Sequence, residues 1–391
     1  MAEARALLVT PEAIYPPHGG GALRSQSVLE YLARRYATDV IVFREPGATD
    51  PVRQFPAGIA REIHVIDLPR HRKDPLSRAV RNAGRVLRAI PPLSDRFGGF
   101  GDQIAAAVRA RRYDLAVVEH FWCAPYWRQI ALVTARTVLD LHNIESVLHA
   151  RCVRSESWPQ GLAHCVFAKA ARKLEARWLP CYDCLLTASD ADGALAREIS
   201  PQSNVVVYPN AIPLVPLPRA AERDMIAFSG NLEYHPNVSA VRFFHDEIWP
   251  RLRERWPGLV WRLIGKNPEA VRKHLDGDTR IELSGPVEDA IRELASAKVV
   301  VVPLLAGSGT RFKIIEAWAA GRAVVSTSVG AEGLRVKRDE NLLLADNPAA
   351  FADAVTSLLA SVEHRQRLGT AGRVLYENEY TWESAWKKLD L

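Results

Sequence analysis

The chain lacks the marks of a membrane span and of a disulfide-stapled domain. None of its 391 residues lies in an uninterrupted apolar run of the roughly 18 that a bilayer crossing requires. The N-terminus, MAEARALLVTPEAIYPP, offers only Leu7-Leu8-Val9 between an acid-containing start and a proline-rich turn. That pattern reads as a first β-strand rather than a secretory signal, and it predicts a cytoplasmic protein. Cysteines number five, too few in so long a chain for a disulfide framework. Cys181 and Cys184 have metal-ligand spacing, with Cys152, His164 and Cys165 upstream, but no second such pair exists. The run before Cys181 reads as continuous helix, so ordinary buried cysteines are the reading, and no metal site is expected. No zinc finger and no aromatic strand motif of an RNA-binding fold is recognisable, which argues against nucleic acid.

What is present is an ordinary globular balance, 48% hydrophobic and 25% charged residues, with a net charge of +6 that favours anionic partners. Part of that charge is concentrated. In LSRAVRNAGRVLRAI, residues 76–90, Arg78, Arg81, Arg85 and Arg88 fall on one side of a helix at about 100° per residue, opposite Leu76, Val80, Ala83, Leu87 and Ile90. Arg70, Arg72 and Lys73 precede them. Such a helix suits peripheral contact with an anionic bilayer. It equally suits a solvated helix packed on the protein by its apolar side.

The length predicts two domains. In the N-terminal half, strand-like runs (Ala6–Thr10, Asp39–Phe43, Ile63–Leu68, Tyr113–Glu119, Thr137–Leu141, Asp183–Ala188) alternate with helix-like segments (Ala22–Arg35, Ala168–Leu179, Ala191–Ile199) and end in Val205, Val206 and Val207. Alternation of this kind predicts a doubly wound parallel sheet. Pro209 to Asp224 then packs four prolines into ten residues, which neither a central strand nor a helix tolerates. The alternation restarts at Met225–Ser229. The expected division is a domain at 1–210, a linker at 211–223, a domain at 224–375, and a C-terminal helix at 376–391 packing back on the first domain. The fold class is therefore α/β, two doubly wound Rossmann-like domains facing across a cleft, with function in the turns after strands.

One turn stands out. The apolar strand at Val299–Pro303 runs into Gly307-Ser-Gly-Thr310, then Arg311, Lys313 and Glu316. Glycines allow close backbone approach, and free N–H groups at a helix start attract anions. Two cations beside them make a diphosphate site, and Glu316 one turn on could accept two hydrogen bonds from a vicinal diol. The first turn, PHGGGALR, lacks G-x-G-x-x-G spacing, and no acid closes the next strand, DVIVF, so a dinucleotide-dependent oxidoreductase is disfavoured.

The stretch GTRFKIIEAWAAGRAVVSTSVGAEGL resembles the donor-binding signature of glycosyltransferase family 4, the retaining GT-B sugar transferases, in the subgroup with G-T-R-x-K-x-x-E-A. FSGNLEYHPN (228–237), RLIGK (262–266), LSGPV (283–287), ENLLLAD (340–346), the glycine-rich YPPHGGGALR (15–24) and the YPNAI turn at Tyr208–Ile212 extend the resemblance over nearly the whole chain. It implies a metal-independent, cofactor-free transferase that moves sugar from a UDP- or GDP-linked donor to a glycan, lipid-linked or small-molecule acceptor in polysaccharide biosynthesis. By position, Glu316 would bind the ribose, and Arg311, Lys313, Ser308, Gly309 and Thr310 the diphosphate. Gly230, Gly265, Lys266, Pro286 and Val287 would line the nucleotide. Gly19, Gly20, Gly21 and Arg24 would approach the diphosphate from the N-terminal domain. His120, after the strand LAVVE, would lie near the transferred sugar, and His142, Asn143 and Glu145 on the acceptor side. The family's paired glutamates, E-x7-E, are reduced to one, because Ser308 stands eight positions before Glu316; Glu233, Tyr234 and His235 occupy a stretch that often carries basic residues. A nucleotide-sugar epimerase of the same shape and a non-enzymatic binder of anionic surfaces are the alternatives.

Overall fold

The computed structural model describes residues 4–17, 19–72, 74–155, 160–306 and 311–391. The chain divides into two units, residues 1–208 with 388–391, and residues 209–387. Residues 213–222, the proline-rich segment, form neither strand nor helix.

Unit 1 is built on a parallel sheet of β1 (Arg5–Thr10), β2 (Ala37–Arg44), β3 (Glu62–Asp67), β4 (Tyr113–Glu119), β5 (Thr134–Leu141), β6 (Cys184–Thr187) and β7 (Val205–Val207), in the order β3-β2-β1-β4-β5-β6-β7. Its central strands are apolar without alternation: Ala6 to Val9 and Ala116 to Val118 are inaccessible to solvent. Helices cover both faces of such a sheet, so every position along the strand is buried. The order reverses between β1 and β4. Chain connections leave these two strands in opposite directions, which opens a crevice at their carboxyl ends.

Unit 2 repeats the plan with β8 (Arg223–Ser229), β9 (Val260–Ile264), β10 (Ile281–Leu283), β11 (Ala297–Val302), β12 (Ala323–Ser326) and β13 (Leu343–Leu344), in the order β10-β9-β8-β11-β12-β13. Here the reversal falls between β8 and β11. The helices Val362–Glu379 and Trp382–Trp386 belong to unit 2, whereas residues 388–391 count with unit 1, where the Tyr31 hydroxyl donates to the Leu389 carbonyl at 3.2 Å.

Three helices of unit 1 bear on function. α1 (Gly20–Ala33) follows β1 directly. α2 (Pro75–Arg88) is the arginine-rich helix: the Asp74 carboxylate accepts from the Ser77 N–H at 2.9 Å, Pro75 occupies the first turn, and Ala89 at φ 50° ends it. α3 (Pro92–Arg96) comes next. α2 reverses one of the two arrangements expected of it. Its apolar side faces solvent, with Leu76, Val80 and Leu87 exposed by 75%, 65% and 87%. Arg85 points inward and is buried. The cause is Asp95 on α3, which accepts from Arg85 at 2.9 Å and from Arg88 at 3.0 Å and so holds the Arg85 side of the helix toward the protein, while Arg78 and Arg88 stay exposed. Burial of the helix by its apolar side is thereby ruled out.

Candidate functional site

In unit 2 the residues that follow β8, β9 and β11 converge. Gly230 and Gly265, at φ 147° and 146°, end β8 and β9. A Cβ on Gly265 would stand 1.8 Å from the Gly230 carbonyl oxygen, so no other residue fits there. The helix Phe312–Ala319 begins after Arg311 and carries Lys313 and Glu316 on successive turns. The Lys313 ammonium donates to the Asn237 side-chain carbonyl at 2.7 Å and lies 4.4 Å from the centre of the Phe228 ring. It would sit 3.1 Å from a Cβ on Gly230, so that glycine keeps the cation's surroundings open. The Ser229 hydroxyl donates to the Glu316 carboxylate at 3.4 Å.

The electrostatics follow from this crowding. Burial, then the neighbouring Arg311 charge, pull the Lys313 ammonium down to about 7, with Glu316 opposing. Burial raises Glu316 above the ordinary carboxylate range, against the pull of Lys313 and the Ser229 hydrogen bond. Arg311 is buried and directs a terminal nitrogen toward the Val329 carbonyl at 3.5 Å. Arg311 and Lys313 thus share a desolvated place with the Glu316 carboxylate, and a dianion would meet two cations there. Lys266 and Pro286 are exposed and Val287 is half-buried, in the turns after β9 and β10. Ser308, Gly309 and Thr310 lie outside the described residues. Asn237, which holds Lys313, was not among the residues the sequence singled out; it opens a formal Asn-Val-Ser glycosylation triplet, yet only 5% of it is exposed.

In unit 1 the corresponding edge is of opposite character. Gly19, at φ 110°, caps α1, and Gly20 and Gly21 form its first turn. A Cβ on Gly21 would meet a Glu12 carboxylate oxygen at 2.3 Å, so an acid already lies against this turn. His120, just past β4, holds a left-handed backbone at φ 63°, uncommon for a residue with a side chain and a mark of functional positions. Its ring stacks on Trp122 at 4.2 Å and on His142 at 3.6 Å, and neither of its nitrogens has a hydrogen-bond partner among the described residues. Glu119 precedes it, fully buried, and holds its proton up to about 8 through burial and then the charge of Asp140. Burial, then His120 and Arg24, press His142 well below its ordinary value, which keeps that ring neutral.

Three of the expected residues, Arg24, Glu145 and Asn143, are held within unit 1. Arg24 was expected beside a diphosphate. It is instead 2% exposed, clasping Asp140 with contacts of 2.6, 2.8 and 3.1 Å and donating to the Tyr208 carbonyl at 2.7 Å. The carboxylate of Asp140, fully buried at the end of β5, draws the guanidinium inward, because a buried charge requires a partner. Glu145 begins the helix Glu145–Ser155 and is buried beside Glu175, which raises it to about 7 after burial itself. Asn143 is half-buried just before that helix. Among the described residues, Glu119, Asp140 and His142 bring one ligand-type atom each within 4.8 Å of one another. The Arg24 guanidinium already supplies the positive charge this group calls for.

A cavity of about 670 Å³ opens at the carboxyl ends of β1, β2 and β4 within unit 1, with His120 and Trp122 in its wall.

Comparison with known proteins agrees with this layout. Residues 223–361 match the model of the family described as Glycosyl transferases group 1. A 44.6 kDa protein in the cps region of Klebsiella pneumoniae is 20% identical over 369 residues, covering 89% of each chain. Among solved structures, sucrose-phosphate synthase from Thermosynechococcus elongatus superposes with a TM-score of 0.71 at 17% identity, over 98% of this chain and 96% of that one. The HepE protein of Anabaena in complex with UDP-glucose superposes at 0.67 and 13% identity, over 98% and 97%. The chain thus has the two-Rossmann GT-B fold, and the segment that matches the family model lies within its second unit.

Proposed function

We propose that this protein transfers a sugar from a UDP- or GDP-linked donor to a hydroxyl of a glycan or lipid-linked acceptor, with retention at the anomeric carbon. The observation that carries the reading is the half-buried Lys313 beside Arg311 and Glu316, at the strand reversal of unit 2 and inside the matched segment. Arg311 and Lys313 would hold the diphosphate, and Glu316 the ribose diol. In the reaction the acceptor oxygen bonds to the anomeric carbon as the bond from that carbon to the β-phosphate oxygen breaks. The electron pair departs with the nucleoside diphosphate, and the acceptor proton passes to a phosphate oxygen on the same face. Charge grows on the leaving phosphate, so cations fixed in a desolvated place stabilise the transition state more than the ground state. In this reading they do the work of a divalent metal. His120, whose ring nitrogens make no hydrogen bond among the described residues, is the group for a hydroxyl of the transferred sugar.

The exposed face of α2 supports a peripheral membrane contact at the cytoplasmic surface. Burying Leu76, Val80 and Leu87 in lipid would contribute about 1.5–3 kcal/mol each, and Arg72, Arg78 and Arg88 are exposed to meet anionic headgroups.

The cluster Glu119, His120, Asp140 and His142 favours one second reading, a nucleotide-sugar epimerase, since that chemistry needs acids and bases beside the sugar. A melting-temperature screen with UDP-, GDP-, ADP- and TDP-sugars, followed by turnover with lipid extracts, tests both. A shift with one donor and sugar transfer to the extract is expected. Release of free sugar with no acceptor dependence would favour the epimerase, and no shift with any donor would remove both readings.

A further inference from the structure

We propose that the unit 1 cavity, taken as the acceptor subsite of the reading above, selects an acceptor whose hydroxyl is carried on an apolar chain. The inference rests on the transferase reading above and narrows its acceptor to the lipid-linked class. Position is the first argument. The cavity lies where the strand order reverses, and His120, whose ring nitrogens make no hydrogen bond among the described residues and whose Nε2 lies 3.8 Å from Glu12, stands in its wall. A group bound there would end beside the residue assigned to the sugar.

The chemistry of the wall is the second argument. Tyr15, Phe43, Phe97 and Trp122 furnish it with aromatic rings, the last three packed edge-on or in parallel: Phe43 on Phe97 at 5.5 Å, Phe97 on Trp122 at 6.1 Å. Its two arginines are engaged with acids, and Glu12 faces the His120 ring. Arg96 donates to Glu45 at 2.6 Å and to the Pro69 carbonyl at 2.7 Å, and Arg44 donates to Asp67 at 2.6 Å. An oligosaccharide gains little from such a wall, because each hydroxyl it buries must find a hydrogen-bond partner. An alkyl or isoprenoid chain has no such demand, and a volume of about 670 Å³ suits a ligand of that size.

The third argument concerns how a chain would enter. Leu93 on α3 lines the cavity and is 41% exposed. Asp95, two residues on, fastens α3 to Arg85 and Arg88 of α2. The same α2 presents Leu76, Val80 and Leu87 outward among exposed arginines. An apolar surface with positive flanks therefore adjoins the element that carries the cavity's lip, which is the arrangement required to draw a chain from an anionic bilayer.

The test uses the full chain and decanol bearing a diazirine on its alkyl chain as photolabel, with labelled peptides mapped by mass spectrometry. Labelling is expected on residues 93–97 and 120–122, displaced by plain decanol and not by maltose. Leu93→Glu, at the exposed lip, and Ala48→Trp, at an exposed wall position, should each reduce it at least fivefold. Both should leave the nucleotide-sugar melting shift unchanged, which also shows that the variants are folded. Labelling spread evenly over both units, displacement by maltose, or labelling unaffected by either variant would overturn the proposal. Absence of a melting shift in the wild-type chain, with cavity labelling intact, would instead count against the transferase reading alone.

Discussion

The two sheet edges of this protein share a topology and differ in charge. After β8 and β11 the chain brings together Arg311, Lys313 and Glu316, with glycines at the ends of β8 and β9. After β1, β4 and β5 the turns gather Glu12, Glu119 and Asp140 with two stacked histidines and a wall of aromatic rings. In unit 2 Arg311 and Lys313 remain at the carboxyl end of the sheet. In unit 1 the cation that might have matched them, Arg24, is spent internally on Asp140. A like strand order thus carries a cation-bearing edge in one unit and a proton-holding, apolar edge in the other, because the chemistry resides in the residues at the strand ends.

The largest effect should come from the internal cation. Arg24→Met leaves Asp140 buried without its partner and should lower stability by about 3–5 kcal/mol in denaturant unfolding. A loss under 1 kcal/mol would mean that the pair does not organise the unit 1 edge. Next is the external pair: Arg311→Ala and Lys313→Ala should each reduce donor turnover by about 10²–10³ while stability changes little, the scale of losing a preorganised donor to a growing charge. Turnover within threefold of wild type in both variants would erase the contrast between the two edges.

How much of this contrast was visible in the sequence depends on the span over which each feature is decided. The strands were legible because burial on both faces leaves uninterrupted apolar runs such as Val299–Val302. The cation–carboxylate spacing of Arg311, Lys313 and Glu316 was legible because one helix carries it. Asn237 was missed because its partner, Lys313, is 76 residues away, and its local context suggested only a glycosylation triplet. The fate of Arg24 was hidden for the same reason, since Asp140 is 116 residues distant. Glu119 was passed over in favour of His120, although an acid closing an apolar strand was a usable signal. For α2 the periodicity defined two faces without saying which would meet the protein, a choice that Asp95 makes.

Two smaller effects sharpen the comparison. Glu316→Gln weakens acceptance from the ribose diol and should cost about 1.5–2 kcal/mol, roughly 10- to 30-fold in nucleotide-sugar affinity by calorimetry. The donor affinity should also depend on pH. Lys313 in the free site titrates at about 7, and a diphosphate favours its ammonium form. Affinity is therefore full below pH 7 and falls as pH rises through that value, by up to about tenfold per unit. In Lys313→Met the profile should be flat over pH 7–9; a wild-type profile equally flat would show that the ammonium does not meet the phosphate. Smallest is the lipid contact: Leu87→Glu should reduce sedimentation with anionic vesicles by about tenfold and leave donor affinity untouched.

The most direct test of the central claim is a crystal structure of the full chain with its nucleotide-sugar donor. The account predicts the diphosphate within hydrogen-bonding distance of Arg311 and Lys313 and the ribose hydroxyls on the Glu316 carboxylate. A nucleotide held at the glycine turn of unit 1, with Lys313 still on Asn237 and Glu316 still on Ser229, would contradict it.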